Sequence, residues 1–133
     1  MGDSQKTFDH LLLADREPGK GADLARVLES SASATGLDVC DEDEVITAVG
    51  NAKDSGETVV LNASGPFTQS TIGMIKAVLR FGVSYADVND ETSMLSEVLS
   101  SGDLNTVAYE QGVAVLPGLG VSPGQTNVVA RYS

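Results

Sequence analysis

The order of apolar and polar positions along the chain predicts strands that alternate with helices. Short apolar runs predict strands at 10–14, 35–39, 58–63, 83–88 and 113–116. Between these runs, apolar residues recur at helical spacing and predict helices, for example at about 21–31 and 68–80. The run 58–63 is continuous and β-branched, as in buried parallel strands. We therefore expect an α/β fold, a parallel sheet with helices on both faces.

Capping residues place the ends of several predicted helices. Asp41 and Glu44 have the spacing of a capping box, which predicts a helix start. Gly82 follows the helix at 68–80 as a C′ glycine. Ser122, with Pro after it and Gln125 three residues on, predicts the N-cap of the last helix.

Composition indicates a single domain of ordinary globular character, spanning 1–133. The chain has a mass of 13.7 kDa and is 41% hydrophobic. No apolar run reaches the length of a membrane helix, and the first ten residues are polar, so we expect neither membrane insertion nor export. Cys40 is the only cysteine, which excludes an intrachain disulfide. These features predict a cytoplasmic protein.

Charge and residue types exclude several functions. The formal net charge is −11, which argues against nucleic acid as a partner because phosphate binding needs clustered Lys and Arg. His10 is the only histidine, and it precedes a strand on the side opposite the strand tips, so we expect a structural role for it. Neither a Cys/His metal cluster nor a Ser-His-Asp arrangement is expected.

Three strand ends are rich in Gly, Pro, Asn and Asp, and ligands of open α/β sheets bind beyond such ends. They lie within 58–67, 81–92 and 112–127. The pattern is Rossmann-like except at its start, where a G-x-G-x-x-G turn normally precedes the ribose-binding acidic residue by about 20 positions. Asp15 has only 14 residues before it, and Gly2 is the only glycine among them. The first strand, its phosphate loop and its helix are therefore expected to be missing.

In a Rossmann sheet of order 3-2-1-4-5-6 the missing first strand is the central one. Its neighbours would be the strands containing Leu11 and Val60. Both would then expose unpaired backbone groups at an edge. We expect the chain to belong to a longer reading frame, or the gap to be filled by another polypeptide or a rearranged sheet.

Five segments together resemble the N-terminal cofactor domain of saccharopine dehydrogenase-like oxidoreductases. They are FDHLLLADRE, LDVCDEDEV, VVLNASGPF, GVSYADVNDET and VLPGLGVSPGQTN, in family order and spacing. The resemblance implies an enzyme that transfers hydride between NAD or NADP and a C–N bond of an amino-acid-like substrate, as in lysine metabolism. It also implies a second, substrate-binding domain that helps subunits pair, which this sequence lacks. The isolated chain is expected to be inactive, and its partner to be a second copy or a complementing chain.

The resemblance assigns cofactor-binding residues at the strand tips. Asp15 would accept the adenine ribose hydroxyls and Arg16 would attract a 2′-phosphate or stack on adenine, which leaves NAD and NADP both open. Asp38 and Val39 match the family's contact with the adenine edge, although Asp38 fits an ordinary turn equally well. Near the nicotinamide and its ribose, the resemblance places Asn62, Ala63, Gly65, Pro66, Phe67, Gly118, Leu119 and Gly120.

Tyr85 and Asp87 are the residues assigned to substrate, while the catalytic acid and base stay unassigned. Caps and solvated turns also account for polar residues at this strand tip. An alternative from a different class is a truncated, non-catalytic Rossmann module that binds or assembles with another subunit. A short-chain reductase is disfavoured because no Tyr-x-x-x-Lys pair is present.

Overall fold

The computed structural model describes residues 8–28, 31–67 and 69–132, which form two compact units that divide after Asp38. The first unit is one β–α–β element. Along the chain its elements are β1 (Leu11–Asp15), α1 (Pro18–Leu28) and β2 (Ala32–Gly36), and the two strands pair in parallel.

Helix α1 packs on its sheet through small residues. Gly21 is buried, and a Cβ added there would lie 3.2 Å from Ala34 Cβ and 3.3 Å from the Leu13 carbonyl oxygen. The glycine therefore permits close contact between helix and strands. The apolar stripe that predicted this helix is exposed instead, since Val27 is 76% accessible and Leu24 is 49% accessible.

The second unit contains three parallel strands in the order β3-β4-β5. Its elements are α2 (Glu42–Ser55), β3 (Val59–Asn62), α3 (Gln69–Arg80), β4 (Ser84–Asp87), α4 (Thr92–Ser100), α5 (Gly102–Gln111), β5 (Val115–Leu116), a π-type turn (Val121–Gln125) and α6 (Thr126–Tyr132).

The core of the second unit lies on one face of this sheet. Ile75 and Val78 of α3 and Tyr85 of β4 are almost completely inaccessible. The strand register pairs Leu61 with Ala86 and Ala86 with Leu116, and these side chains lie on the opposite face of the sheet. Leu61 is 65% exposed and Leu116 is 50% exposed, so the run 58–63 is less buried than its composition predicts.

The predicted α/β class with parallel sheets and flanking helices is confirmed. Within the described residues, β1 pairs only with β2, and β3 pairs only with β4. This order is consistent with an incomplete Rossmann-like fold in which the strands containing Leu11 and Val60 each have an open edge. In the part of the chain that the structure describes, no helix has both the length and the apolarity to cross a membrane.

The predicted start of α2 and end of α3 are confirmed by hydrogen bonds. The Asp41 side chain accepts from the backbone N–H groups of Asp43 and Glu44 at 3.0 and 3.1 Å. Gly82 has a φ of +60°, and its N–H donates to the Leu79 carbonyl oxygen at 3.0 Å. Helix α5 ends in the same way at Gly112, with a φ of +66°. Both glycines occupy the left-handed conformation of a Schellman cap.

The predicted N-cap at Ser122 is wrong. The π-type turn already begins at Val121, and the Gln125 N–H donates to the Gly120 carbonyl oxygen at 2.9 Å. Gly124 has a φ of +118°, which no α-helix contains, so regular helix starts only at Thr126. The glycine overrides the capping pattern that surrounds it.

The two ends of α5 offer a matched test of backbone strain. A Cβ at Gly112 or at Gly102 would meet no atom within 4 Å, but only Gly112 has a left-handed φ. We expect Gly112→Ala to lower the free energy of unfolding by about 1–2 kcal/mol, because an L-residue is strained there. Gly102→Ala should be neutral or stabilising, since alanine favours helices. Urea denaturation measures the free energy of unfolding of both variants, and equal losses of stability would contradict a strained left-handed cap at Gly112.

Candidate functional site

The candidate site lies at the carboxyl ends of β3 and β4. Asn62 ends β3 and Asp87 ends β4, and the two residues are partners in the parallel register. Their exposed fractions are only 7% and 3%. Because a buried polar side chain must find hydrogen-bond partners, their contacts determine what this end of the sheet can do.

A chain of hydrogen bonds joins three of the predicted site residues beneath the surface. Asn62 Nδ2 donates to the Tyr85 hydroxyl oxygen at 3.0 Å, and the Tyr85 hydroxyl donates to Asp87 Oδ2 at 2.9 Å. Asn62 Oδ1 accepts from the backbone N–H of Ser64 at 2.9 Å and also from its hydroxyl. The sequence predicted substrate contact for Tyr85 and Asp87, and that role stays a prediction. In the structure the two side chains hydrogen-bond to each other, and Asp87 also accepts a hydrogen bond from the loop that follows β5.

Asp87 fixes the glycine-rich loop that follows β5. Its Oδ1 accepts from the backbone N–H groups of Gly118, at 2.8 Å, and Asn89, at 3.0 Å. Its carbonyl oxygen accepts from the Leu119 N–H at 2.7 Å. Hydrogen bonds to a carboxylate are stronger than neutral ones, so one buried side chain holds this loop against the tip of β4.

The glycine-rich loop also folds back on itself. Gly124 approaches the start of the loop so closely that an added Cβ would lie 2.8 Å from the Gly118 carbonyl oxygen. Gly118 is buried, whereas Leu119 is 55% exposed. Of the three loop residues predicted to contact cofactor, only Leu119 is therefore exposed, since Gly120 is half-buried.

An open cleft of about 540 Å³ lies between the β3–α3 loop and the start of α4. Three predicted cofactor residues line it, and Ala63 is exposed nearby in the chain but does not. The opposite wall begins in the strand end 81–92 that the sequence marked for ligand binding, but none of its residues was assigned to cofactor or substrate. The lining residues are Gly65, Pro66, Phe67, Asp90, Glu91, Ser93 and Met94.

Asn89 is a fully buried residue that immediately precedes Asp90 and Glu91 of the cleft lining. The side chain has no exposed surface, and its Oδ1 accepts from the Glu91 N–H at 2.7 Å. Its Nδ2 has no hydrogen-bond partner among the described residues.

The first unit brings two other predicted residues to one strand end. Asp15 Oδ1 accepts from the Glu17 N–H at 2.7 Å, which forms an Asx turn, and the Asp15 carbonyl oxygen accepts from the Leu37 N–H at 3.1 Å. Asp38 follows directly, so both carboxylates lie at the carboxyl end of the strand pair. Arg16 is exposed, and Val39 belongs to the second unit. The role of Asp15 in ribose binding stays a prediction.

Burial raises the pKa of the Tyr85 hydroxyl far above its ordinary value of 10.0, because the phenolate would lose its hydration. The neighbouring Asp87 carboxylate adds to the increase, while the hydrogen bond from Asn62 opposes it. Tyr85 is therefore a neutral hydrogen-bond relay at physiological pH, donating to Asp87 and accepting from Asn62.

Comparisons with known proteins give no family for this chain. No protein-family model matches it, and a search of curated proteins finds no significant match. The residues that the structure describes contain no group of three or more His, Cys, Asp or Glu with the geometry of a metal site. Function must therefore be argued from the site itself.

Asp87→Asn tests whether the carboxylate holds the site together. The replacement amide has one acceptor oxygen and cannot serve both the Tyr85 hydroxyl and the Gly118 N–H as Asp87 does. We expect a loss of about 1–3 kcal/mol in unfolding free energy and large shifts of the Gly118 amide resonance. Asp90→Asn, an exposed carboxylate at the same strand tip, should change stability by less than about 0.5 kcal/mol. Equal stability losses in the two variants would contradict the role of the Asp87 carboxylate in holding the loops.

The pKa of Tyr85 predicts how stability changes at high pH. Its folded-state pKa lies above the unfolded value of 10.0, so its contribution is complete below pH 10 and declines as the pH rises further. Above pH 10, wild type should lose up to about 1.4 kcal/mol more per pH unit than Tyr85→Phe, which has no proton to release at this position. Urea denaturation at pH 8 and pH 11 compares the two slopes. Parallel slopes would contradict a buried neutral hydroxyl.

Proposed function

We propose that this chain forms part of the cofactor domain of an NAD(P)-dependent oxidoreductase that acts on a C–N bond of an amino-acid-derived substrate. The observation that carries the proposal is the cleft beyond the carboxyl ends of parallel strands, bounded by Gly65–Phe67 on one side and by residues at the start of α4 on the other. This is the position where α/β sheets bind ligands. The chemistry and the substrate class come from the resemblance of the sequence.

The cleft suits the nicotinamide end of a dinucleotide. Its volume of about 540 Å³ lies within the range of about 300–1,000 Å³ typical of small-molecule sites. Phe67 and Met94 offer apolar contact to a planar ring. A bound NAD(P) would supply the carbon that accepts or donates hydride, while the chain's residues orient it and limit access of water.

The adenosine end would be bound separately, at the carboxyl end of β1 and β2. Asp15 is held in a turn where its carboxylate suits ribose hydroxyls, and the exposed Arg16 suits a 2′-phosphate. The sequence contains no G-x-G-x-x-G run, which would cradle the pyrophosphate with backbone N–H groups. The chain by itself should therefore bind each half of the cofactor weakly.

A second candidate function is a non-catalytic module that assembles with another subunit. The apolar side chains exposed in the first unit favour it, since Leu12 is 45% and Val27 is 76% accessible. The open edge of β3 favours it too, because an unpaired strand edge can add a strand from another chain. This candidate needs no nucleotide at the strand tips.

The two halves of the cofactor test the proposal separately. We expect reduced nicotinamide mononucleotide to shift the backbone amide resonances of Gly65, Phe67 and Gly118, and AMP to shift those of Arg16 and Asp38. The dissociation constants should be millimolar, about −4 kcal/mol of binding free energy, because the phosphate cradle is absent. Heteronuclear NMR titration of the uniformly ¹⁵N-labelled chain measures both.

Phe67→Ala is the matched variant for this titration. It should weaken binding of the nicotinamide half by removing an apolar wall of the cleft, and leave the AMP-induced shifts unchanged. Tyr109→Ala, a substitution of an 89% exposed aromatic outside the cleft, serves as the control. A folded chain that responds to neither half-ligand would overturn the cofactor proposal and favour the assembly module.

A further inference from the structure

We propose that Asp90 and Glu91 make the strand-tip cleft select the oxidised, cationic nicotinamide ring over the reduced, neutral one. This inference rests on the proposed function, and it assigns the redox preference of that same cleft. Both residues line the cleft, between the tip of β4 and the first turn of α4. Neither residue was among the cofactor contacts expected from the sequence.

The cleft carries negative charge that its own walls do not neutralise. Asp90 and Glu91 face a lining that contains no Lys or Arg. Among the described residues the salt bridges are Lys20–Glu17 and Arg26–Asp23, both in the first unit. Ser93 Oγ donates to Glu91 Oε1 at 3.0 Å, which orients that carboxylate without cancelling its charge.

The N-terminus of α4 opposes this negative charge only in part. Its free N–H groups are equivalent to about half a positive charge, and Glu91, at the N-cap, makes no side-chain hydrogen bond to them. The negative charge of the two carboxylates therefore exceeds the partial positive charge of the helix N-terminus. A ring bearing a full positive charge is stabilised in this cleft, whereas a neutral ring of the same shape is not.

The apolar part of the cleft binds both ring forms alike. Phe67, Pro66 and Met94 provide contact area that does not depend on ring charge. The carboxylates are exposed, and solvent weakens their effect, so we expect a preference of about fivefold at low salt. For a two-electron couple, a fivefold preference lowers the reduction potential of the bound cofactor by about 20 mV. The site would then favour donation of hydride to the substrate.

The experiment compares oxidised and reduced nicotinamide mononucleotide by NMR titration of the chain. Both probes carry the same ribose phosphate, so their difference reports ring charge. Wild type should bind the oxidised probe about five times more tightly at about 20 mM salt, and the preference should shrink at about 0.5 M, where the Debye length falls to a few Å. The double variant Asp90→Asn, Glu91→Gln should bind the two probes with nearly equal affinity.

Asp103→Asn combined with Glu97→Gln is the control, because it removes the same charge from exposed positions of α4 and α5 outside the cleft. It should keep most of the wild-type preference. Equal affinities of wild type for both probes, or an equal loss of preference in the two double variants, would overturn this inference and leave the proposed function intact. If neither nicotinamide probe binds, this inference is overturned; if AMP also produces no shifts, the proposed function itself is overturned.

Discussion

The carboxylate of Asp87 is the constraint on which the rest of the candidate site depends. It is buried at the end of a parallel strand, and it accepts hydrogen bonds from a side chain in its own strand and from backbone in two loops. A carboxylate in that position is stable only if these donors are present, so the loops are positioned as the charge becomes satisfied. The acidic residues of the cleft follow closely along the chain, since Asp90 comes directly after Asn89, whose backbone N–H donates to Asp87.

The two units differ in how well they bury their apolar residues. The second unit has a core built around α3, where Ile75 and Val78 are fully inaccessible. In the first unit Gly21 is the buried residue of a helix whose leucines are exposed. The first unit therefore derives less stabilisation from apolar burial than the second does.

Periodicity and capping chemistry predicted most of the fold because they act locally. The helix start at Asp41 and the glycine cap at Gly82 depend on neighbours within a few residues, and both occur as expected. The predicted start of the last helix was wrong because Gly124 has a positive φ and lies against Gly118, six residues away, and the capping pattern encodes neither feature. The Asp90–Glu91 wall of the cleft likewise depends on how two loops meet, and sequence spacing alone did not reveal it.

A buried network and an exposed charged wall make different contributions to a binding site. Asn62, Tyr85 and Asp87 are buried and hydrogen-bond to one another and to the loops, so they set the positions of other groups. Asp90 and Glu91 are exposed and lie where a ligand can sense their charge directly. A change in the network should therefore disturb the affinity for every ligand of the cleft, whereas a change in the wall should alter which charge state is preferred. That separation lets the support of the site and its selectivity be measured independently in the same chain.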